Sequence, residues 1–245
     1  MAGHAASDRD RGGRTRADGS RSSDPRDEII AAATRLFAEK GYADTTMKAV
    51  ADAVGLRQPS VYYWFRNKEE LLHATASINR YSATVVALLT ANDSAPPPAK
   101  LYRLLYEDTR HICLLRPLDY HQVESIAYQR PQEFSQFWAD YRALFDGVVA
   151  FIEDSQKLKN FRSSDSLSAA AAALGLNEGL QKLRRHHAGS VVAVDFPIPV
   201  PALDDVSAVA HLSATTTLLS HLVDHTSLDA VRAEAMAIEL PPDSQ

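Results

Sequence analysis

Residues 55–72 read GLRQPSVYYWFRNKEELL, and within them Val61, Tyr62, Tyr63, Trp64 and Phe65 form an unbroken run of one valine and four aromatics. A helix rotates each residue about 100° from the last, so adjacent rings cannot all face one core. If 58–65 is helical, Val61 and Phe65 stand at i and i+4 and share the inward face. Gln58, Pro59, Ser60, Tyr62 and Tyr63 then cover the start and the outer side. Gln58 and Pro59 sit where a helix can begin, and Asn67 followed by Glu70 is a capping-box arrangement that opens the next helix.

Two helices are expected upstream. In SDPRDEII, residues 23–30, Asp24 is a good N-cap, Pro25 suits the first helical position, and Asp27 and Glu28 suit the positive end of the helix dipole. Ile29, Ile30, Ala33, Leu36 and Phe37 then recur at helical spacing until Gly41, which predicts a helix over 25–40. In TTMKAVADAVG, residues 45–55, Met47, Val50, Ala51 and Val54 fall at i, i+3, i+4 and i+7 and Gly55 closes the segment. Two short helices joined by a turn over 55–57 have helix-turn-helix spacing. The helix opened by Asn67 meets no breaker before the NDSAPPPAK stretch, which predicts one element from Lys68 to Thr90.

Further along, the pattern stays helical over 99–114, 118–129, 132–158, 165–187, 203–224 and 228–239, separated by Pro, Gly, Ser or Asn clusters. VVAVDFPIPVP, residues 191–201, has some strand flavour, but its prolines argue for an extended loop. The fold class is therefore all-α: a small N-terminal three-helix unit over 25–72 and a larger helical body over 73–245. Residues 1–24 carry almost no large apolar side chain and read as a disordered tail, whose Arg9, Arg11, Arg14, Arg16 and Arg21 are either solvated or follow a DNA groove.

Composition narrows the class further. With 45% hydrophobic and 23% charged residues the chain has the balance of a soluble globular protein. It has no apolar run of about 18 residues, which argues against a membrane span. The single cysteine, Cys113, leaves no internal disulfide and suits a reducing, cytoplasmic setting. The net charge of −5 looks unfavourable for a nucleic-acid partner, yet it is unevenly spread: residues 1–27 are +1, 28–72 neutral and 73–245 −6. The acidity belongs to the body.

The stretch IIAAATRLFAEKGYADTTMKAVADAVGLRQPSVYYWFRNKEELL, residues 29–72, carries Phe-x-x-x-Gly-Tyr, Thr-Thr, Ala-x-x-x-Gly and Tyr-x-x-Phe-x-x-Lys-Glu-x-Leu in order. In this it resembles the DNA-binding domain of the TetR family of bacterial transcriptional regulators. The resemblance implies a homodimer bound to an operator in double-stranded DNA, with the third helix in the major groove and a body that dimerises and binds a small organic effector. It implies phosphate contacts from Thr46, Tyr63, Trp64 and Lys68. Gln58 is suited to pair with adenine, Pro59 and Tyr62 to touch a thymine methyl, and Ser60 to donate to a base or phosphate. Lys48, with Arg57 and Arg66, lies beside the turn, within reach of phosphate. Met47 departs from the basic residue of some relatives. Against DNA contact stands the possibility that Tyr62, Tyr63 and Trp64 pack on the fourth helix or a neighbouring loop.

For the effector, LDYHQVESIAYQRPQEFSQFWADY, residues 118–141, offers Tyr120, His121, Tyr128, Phe137, Trp138 and Tyr141, a mixture of rings and polar groups suited to an organic ligand. The small and apolar residues of 165–187 and 203–224 suit helices that pack against a partner subunit. His121 with Glu124, and His221 with His225, have spacings that can share a metal, but isolated pairs are commonly surface or core residues, and neither a metal nor a cofactor is expected. No Gly-x-Ser-x-Gly elbow, P-loop, dinucleotide fingerprint or His-Glu-x-x-His motif is present, so catalysis is not expected. The sequence leaves two regulatory modes open: a repressor released by a small molecule, and an activator or a regulator answering to a protein partner.

Overall fold

The computed structural model describes residues 24–114, 120–189 and 203–241; residues 1–23 of the expected tail and the proline-rich loop over 191–201 lie outside the described residues. α1 (Pro25–Asp44) begins where Asp24 accepts the backbone N–H of Arg26 at 3.0 Å. Gly41 interrupts its helical geometry at φ +80, a conformation that costs an L side chain dearly, so the regular helix ends where the glycine predicts. Thr45, fully buried, donates its hydroxyl to the carbonyls of Leu36 and Gly41 and ties that bend down.

α2 (Met47–Ala53) is capped by Thr46, whose hydroxyl accepts from the Ala49 N–H at 3.0 Å. Its exit is a Schellman turn: Leu56 N–H donates to the Ala51 carbonyl, Gly55 N–H donates to the Asp52 carbonyl, and Gly55 adopts φ +66. That turn swings the chain into α3 (Gln58–Trp64), and Asn67 then caps α4 (Lys68–Ala76) by accepting from the Glu70 N–H at 2.7 Å. The Glu70 carboxylate reaches back past the cap to accept the Arg66 N–H at 2.7 Å, which ties the residue before the cap to the first turn.

The continuous helix expected from Lys68 to Thr90 is broken. A 3₁₀ turn at Ser77–Asn79 separates α4 from α5 (Arg80–Ala91). Thr75 and Ser77 donate their hydroxyls to the carbonyls of Leu72 and Ala74, competing with the backbone ladder, and Asn79 sits at φ −90, ψ −8. The body continues with α6 (Pro97–Leu114), α7 (Tyr120–Gln129), α8 (Ser135–Lys157), α9 (Ser166–Gly189), α10 (Val206–His221) and α11 (Leu228–Ala237). The described residues hold no strand, only a lone antiparallel bridge between Phe161 and Leu222.

Two interiors organise these helices. α6 runs through the body, and its Leu101, Tyr102 and Leu105 meet Val85 and Leu89 of α5, Val148 and Ile152 of α8, Leu174 of α9 and Leu218 of α10. The other interior belongs to the head, where Ile29, Phe37, Val50, Val61 and Phe65 pack together. It does not stop at residue 72: Leu71, Leu72 and Ile78 continue it into Val123, Ile126 and Ala127 of α7 and Phe134 and Phe137 at the start of α8.

α5 and α8 approach closely at Gly147, where an added Cβ would lie 2.5 Å from Val86 Cγ1 and 2.8 Å from Cγ2. A β-branched side chain has little freedom to retreat. Gly147→Ala should therefore lose about 1 to 3 kcal/mol to overpacking, offset by about 1 kcal/mol of helix propensity. The expected result in urea denaturation is a net loss of stability, whereas Gly179→Ala, with nothing near its Cβ, should gain.

Candidate functional site

The helix expected over 58–65 ends at Trp64, with Phe65 following it in extended geometry, and the run of rings divides by direction. Val61 and Phe65 are buried in the head interior, while Tyr62 is 43% exposed and Tyr63 82% exposed. Gln58, Pro59 and Ser60 are exposed on the same short helix. Trp64 is half-buried against the head interior and meets Tyr63 edge-to-face at 5.3 Å. The outer surface of α3 thus presents an amide, a hydroxyl and two phenols on a helix held from behind.

The basic side chains nearby are partly engaged. Lys48 pairs with Asp52 at 2.7 Å, one turn on, with both side chains mostly exposed; such a pair contributes about 0 to 1 kcal/mol and yields readily to a stronger anion. Lys68 is held more firmly. Its Nζ donates to the carbonyls of Tyr42 and Ala43 at 2.6 and 3.1 Å and lies 4.2 Å from the Tyr42 ring centroid. On the same ring sits Arg130 from just beyond α7, its guanidinium carbon 4.3 Å from the centroid. Arg130 is itself paired with Glu133 at 2.7 Å. A phenol clasped between two cations joins the α1–α2 corner, the start of α4 and the end of α7.

The expected effector residues separate into distinct environments. Tyr128 is 70% exposed and meets Trp138 edge-on; Trp138 donates its indole N–H to the Ala127 carbonyl at 3.3 Å and also packs on Phe137. Phe137 is fully buried in the head interior. The His121 side chain lies outside the described residues. Tyr120, buried, and Tyr141, half-buried, have ring centroids 6.5 Å apart and adjoin a set of carboxylates.

That set is Asp108 of α6, Glu124 of α7 and Glu178 of α9. Asp108 is buried; it accepts from the Ser82 hydroxyl and the Asn177 amide, each at 2.7 Å, and the Asn177 oxygen in turn accepts from Ser213. Burial pushes the Asp108 carboxyl above its ordinary range, with those two donors and His111 opposing. Glu178 is raised to about 7, first by burial and then by Glu124 and Asp108. The phenols of Tyr120 and Tyr141 are also raised, by burial first and then by Glu178. Asn79, 2% exposed, brings its amide against the Tyr120 hydroxyl.

Sequence reasoning missed Asp108, Asn177 and Asn79. A signal for the first two exists: Asp108 falls on the stripe of Leu101, Leu104, Leu105 and Ile112, and Asn177 on that of Ala170, Ala173 and Leu174. A polar residue on a buried stripe implies a polar partner inside.

Residues 29–75 match the family described as bacterial regulatory proteins, tetR family. The biofilm operon icaADBC HTH-type negative transcriptional regulator IcaR of Staphylococcus epidermidis is 33% identical over 94 residues, 36% of this chain and 50% of that protein. Its counterpart in Staphylococcus aureus strain Newman is 30% identical over 82 residues, 34% of this chain and 44% of that protein, so the chain spans at most half the length of these relatives. Among solved structures, Mycobacterium smegmatis AmtR superposes with a TM-score of 0.55 at 21% identity, covering 89% of this chain and 97% of that one. The ketosteroid transcriptional regulator KstR2 of Mycobacterium tuberculosis gives 0.52 at 17% identity, covering 83% and 98%. At these identities the structures share the fold.

Two outcomes follow from this geometry. Lys68→Ala uncaps two carbonyls and should destabilise the head by about 1 to 3 kcal/mol, read as an earlier Trp64 fluorescence transition in urea. Glu178 binds its proton more tightly folded than unfolded, so it lowers stability as pH rises from its unfolded value toward about 7, and the penalty is complete above that. The Tm of the parent chain should therefore fall relative to that of Glu178→Gln between about pH 5 and about pH 8.

Proposed function

We propose that this chain is a TetR-family transcriptional regulator, a cytoplasmic homodimer that occupies a palindromic operator, represses, and is released by a small organic effector; the family match over residues 29–75 supports this reading. The observation that carries the reading is the outer face of α3, where Gln58, Ser60, Tyr62 and Tyr63 stand exposed while Val61 and Phe65 anchor the helix from behind. In the groove, Gln58 pairs with an adenine edge, and Pro59 and Tyr62 lie against a thymine methyl. Ser60, Tyr63, Trp64, Thr46 and Lys48 contact the backbone, and Lys68 supplies the N–H left over from its two carbonyls. The negative regulation named for IcaR supports repression over activation.

Dimerisation is supported by faces that the body leaves uncovered. α9 exposes Leu167, Ser168, Ala171, Ala172 and Gly175, and α10 exposes Leu212 and Leu219, small and apolar surfaces that allow close helix packing. Two such subunits would set their α3 helices on half-sites about 34 to 36 Å apart. The effector binds among α6, α7, α8 and α9 and acts through α7, whose Val123 and Ile126 belong to the head interior.

Selection from randomised duplexes by the full chain tests the reading, with the expected product a two-fold-symmetric site; enrichment of no symmetric site would overturn it. On that site Tyr62→Ala should cost about 1 to 3 kcal/mol and relax preference at one base step. Leu212→Glu combined with Leu219→Glu should yield a monomer in sedimentation velocity and lose most operator affinity.

A further inference from the structure

The effector site proposed above has a chemical character that the carboxylates define, and the inference rests on that reading of the body. Three acidic side chains from three helices converge on two phenols. Asp108 and Glu178 differ from the nearby Glu107, which is neutralised by Arg103 at 3.0 Å and Arg110 at 3.4 Å. Among the described residues no lysine or arginine pairs with Asp108 or Glu178, although His111 bears on Asp108 as a basic group, and Glu178 makes no hydrogen bond with them. Buried acids of one sign repel each other and are desolvated, an arrangement whose ionised form is costly until a proton or a cation neutralises it.

A second observation points the same way. Asn79 is 98% buried by its 2% exposure, yet its Nδ2 has no hydrogen-bond partner, and its amide lies at the Tyr120 hydroxyl, on the floor of the same cluster. An unspent donor beside acceptors calls for a ligand with an acceptor atom as well as a charge. Burial is graded: Asp108, Asn79 and Tyr120 are buried, whereas Glu124, Tyr141 and Glu178 are half-buried and form the solvent side. The rings of Tyr120 and Tyr141, with centroids 6.5 Å apart and planes tilted by 40°, border the cluster and supply aromatic surface beside a cation.

We propose that this cluster is the binding site for an organic ammonium ligand that also carries a hydrogen-bond acceptor, with Glu178 and Asp108 balancing the charge, Tyr120 and Tyr141 flanking it, and Asn79 donating to the acceptor. The site adjoins the Ser77–Asn79 break between α4 and α5, and Tyr120 packs into the head interior, so occupancy bears on both links to the head.

The test uses three probes with one skeleton and different charge: 2-phenoxyethylammonium, 2-phenoxyethanol and phenoxyacetate, titrated calorimetrically into the full chain at neutral pH. The ammonium should bind at least about tenfold more tightly than either analogue. In Glu178→Gln that preference should shrink to about twofold or less, while exposed Glu234→Gln retains it. A circular-dichroism melt of each variant confirms that it is folded. Equal affinities, a preference for the alcohol or acid, no binding of any probe, or an undiminished preference in folded Glu178→Gln would each overturn the assignment. Operator affinity measured with each bound probe separates the two readings. If the ammonium binds through Glu178 yet leaves operator affinity unchanged, the cation site stands and effector release falls. If only a neutral or anionic probe binds and releases the operator, the cation assignment falls and effector release stands.

Discussion

A helix of seven residues is too short to hold its own shape in water, and α3 is such a helix. Its existence depends on burying Val61 and Phe65 against Phe37, Val50 and the rest of the head. Everything else in the head serves that burial: the Schellman turn at Gly55 fixes the angle of entry, the Asn67–Glu70 cap fixes the exit, and Thr45 pins the bend that brings α1 over the pair. The inward residues hold the backbone, which leaves the exposed phenols free to serve another surface.

The head interior is also the coupling between the two halves. Because α7 and the start of α8 contribute Val123, Ile126, Phe134 and Phe137 to it, a shift of α7 cannot occur without disturbing packing beneath α1 and α4. The Arg130–Tyr42–Lys68 clasp repeats that connection at the surface, with one ring shared by cations from the two sides. The 3₁₀ turn at Ser77–Asn79 gives the chain a discrete joint where a continuous helix would have transmitted motion as a rod. In the proposed mechanism, a ligand at the Asp108–Glu178 cluster touches α7 through Tyr120 and the joint through Asn79, so both links feel its charge.

Legibility in the sequence followed the range of each interaction. The head was readable because its signals are local: caps, a glycine in a left-handed turn, and apolar residues at helical spacing. The outward direction of Tyr62 and Tyr63 followed from rotation alone. The break after Ala76 was not readable, since Thr75, Ser77 and Asn79 are compatible with a helix until their side chains choose carbonyls or a buried site. The clasp was hidden for a different reason, as Tyr42 and Arg130 meet only through tertiary packing. Asp108 lay in view on an apolar stripe, but its partners Ser82 and Asn177 come from other helices. The aromatic segment of α7 and α8 looked like one ligand surface, and the fold divides it among solvent, head interior and acidic cluster.

The central claim is that the exposed face of α3, presented twice by a symmetric dimer, reads DNA. Genome-wide footprinting of the intact chain tests it most directly. The account predicts discrete protected sites sharing an inverted repeat, with half-site centres about one helical turn or a multiple of it apart, lost when Tyr62 and Tyr63 are both replaced by alanine. Protection without two-fold symmetry, or symmetric sites that persist unchanged in that double variant, would contradict it.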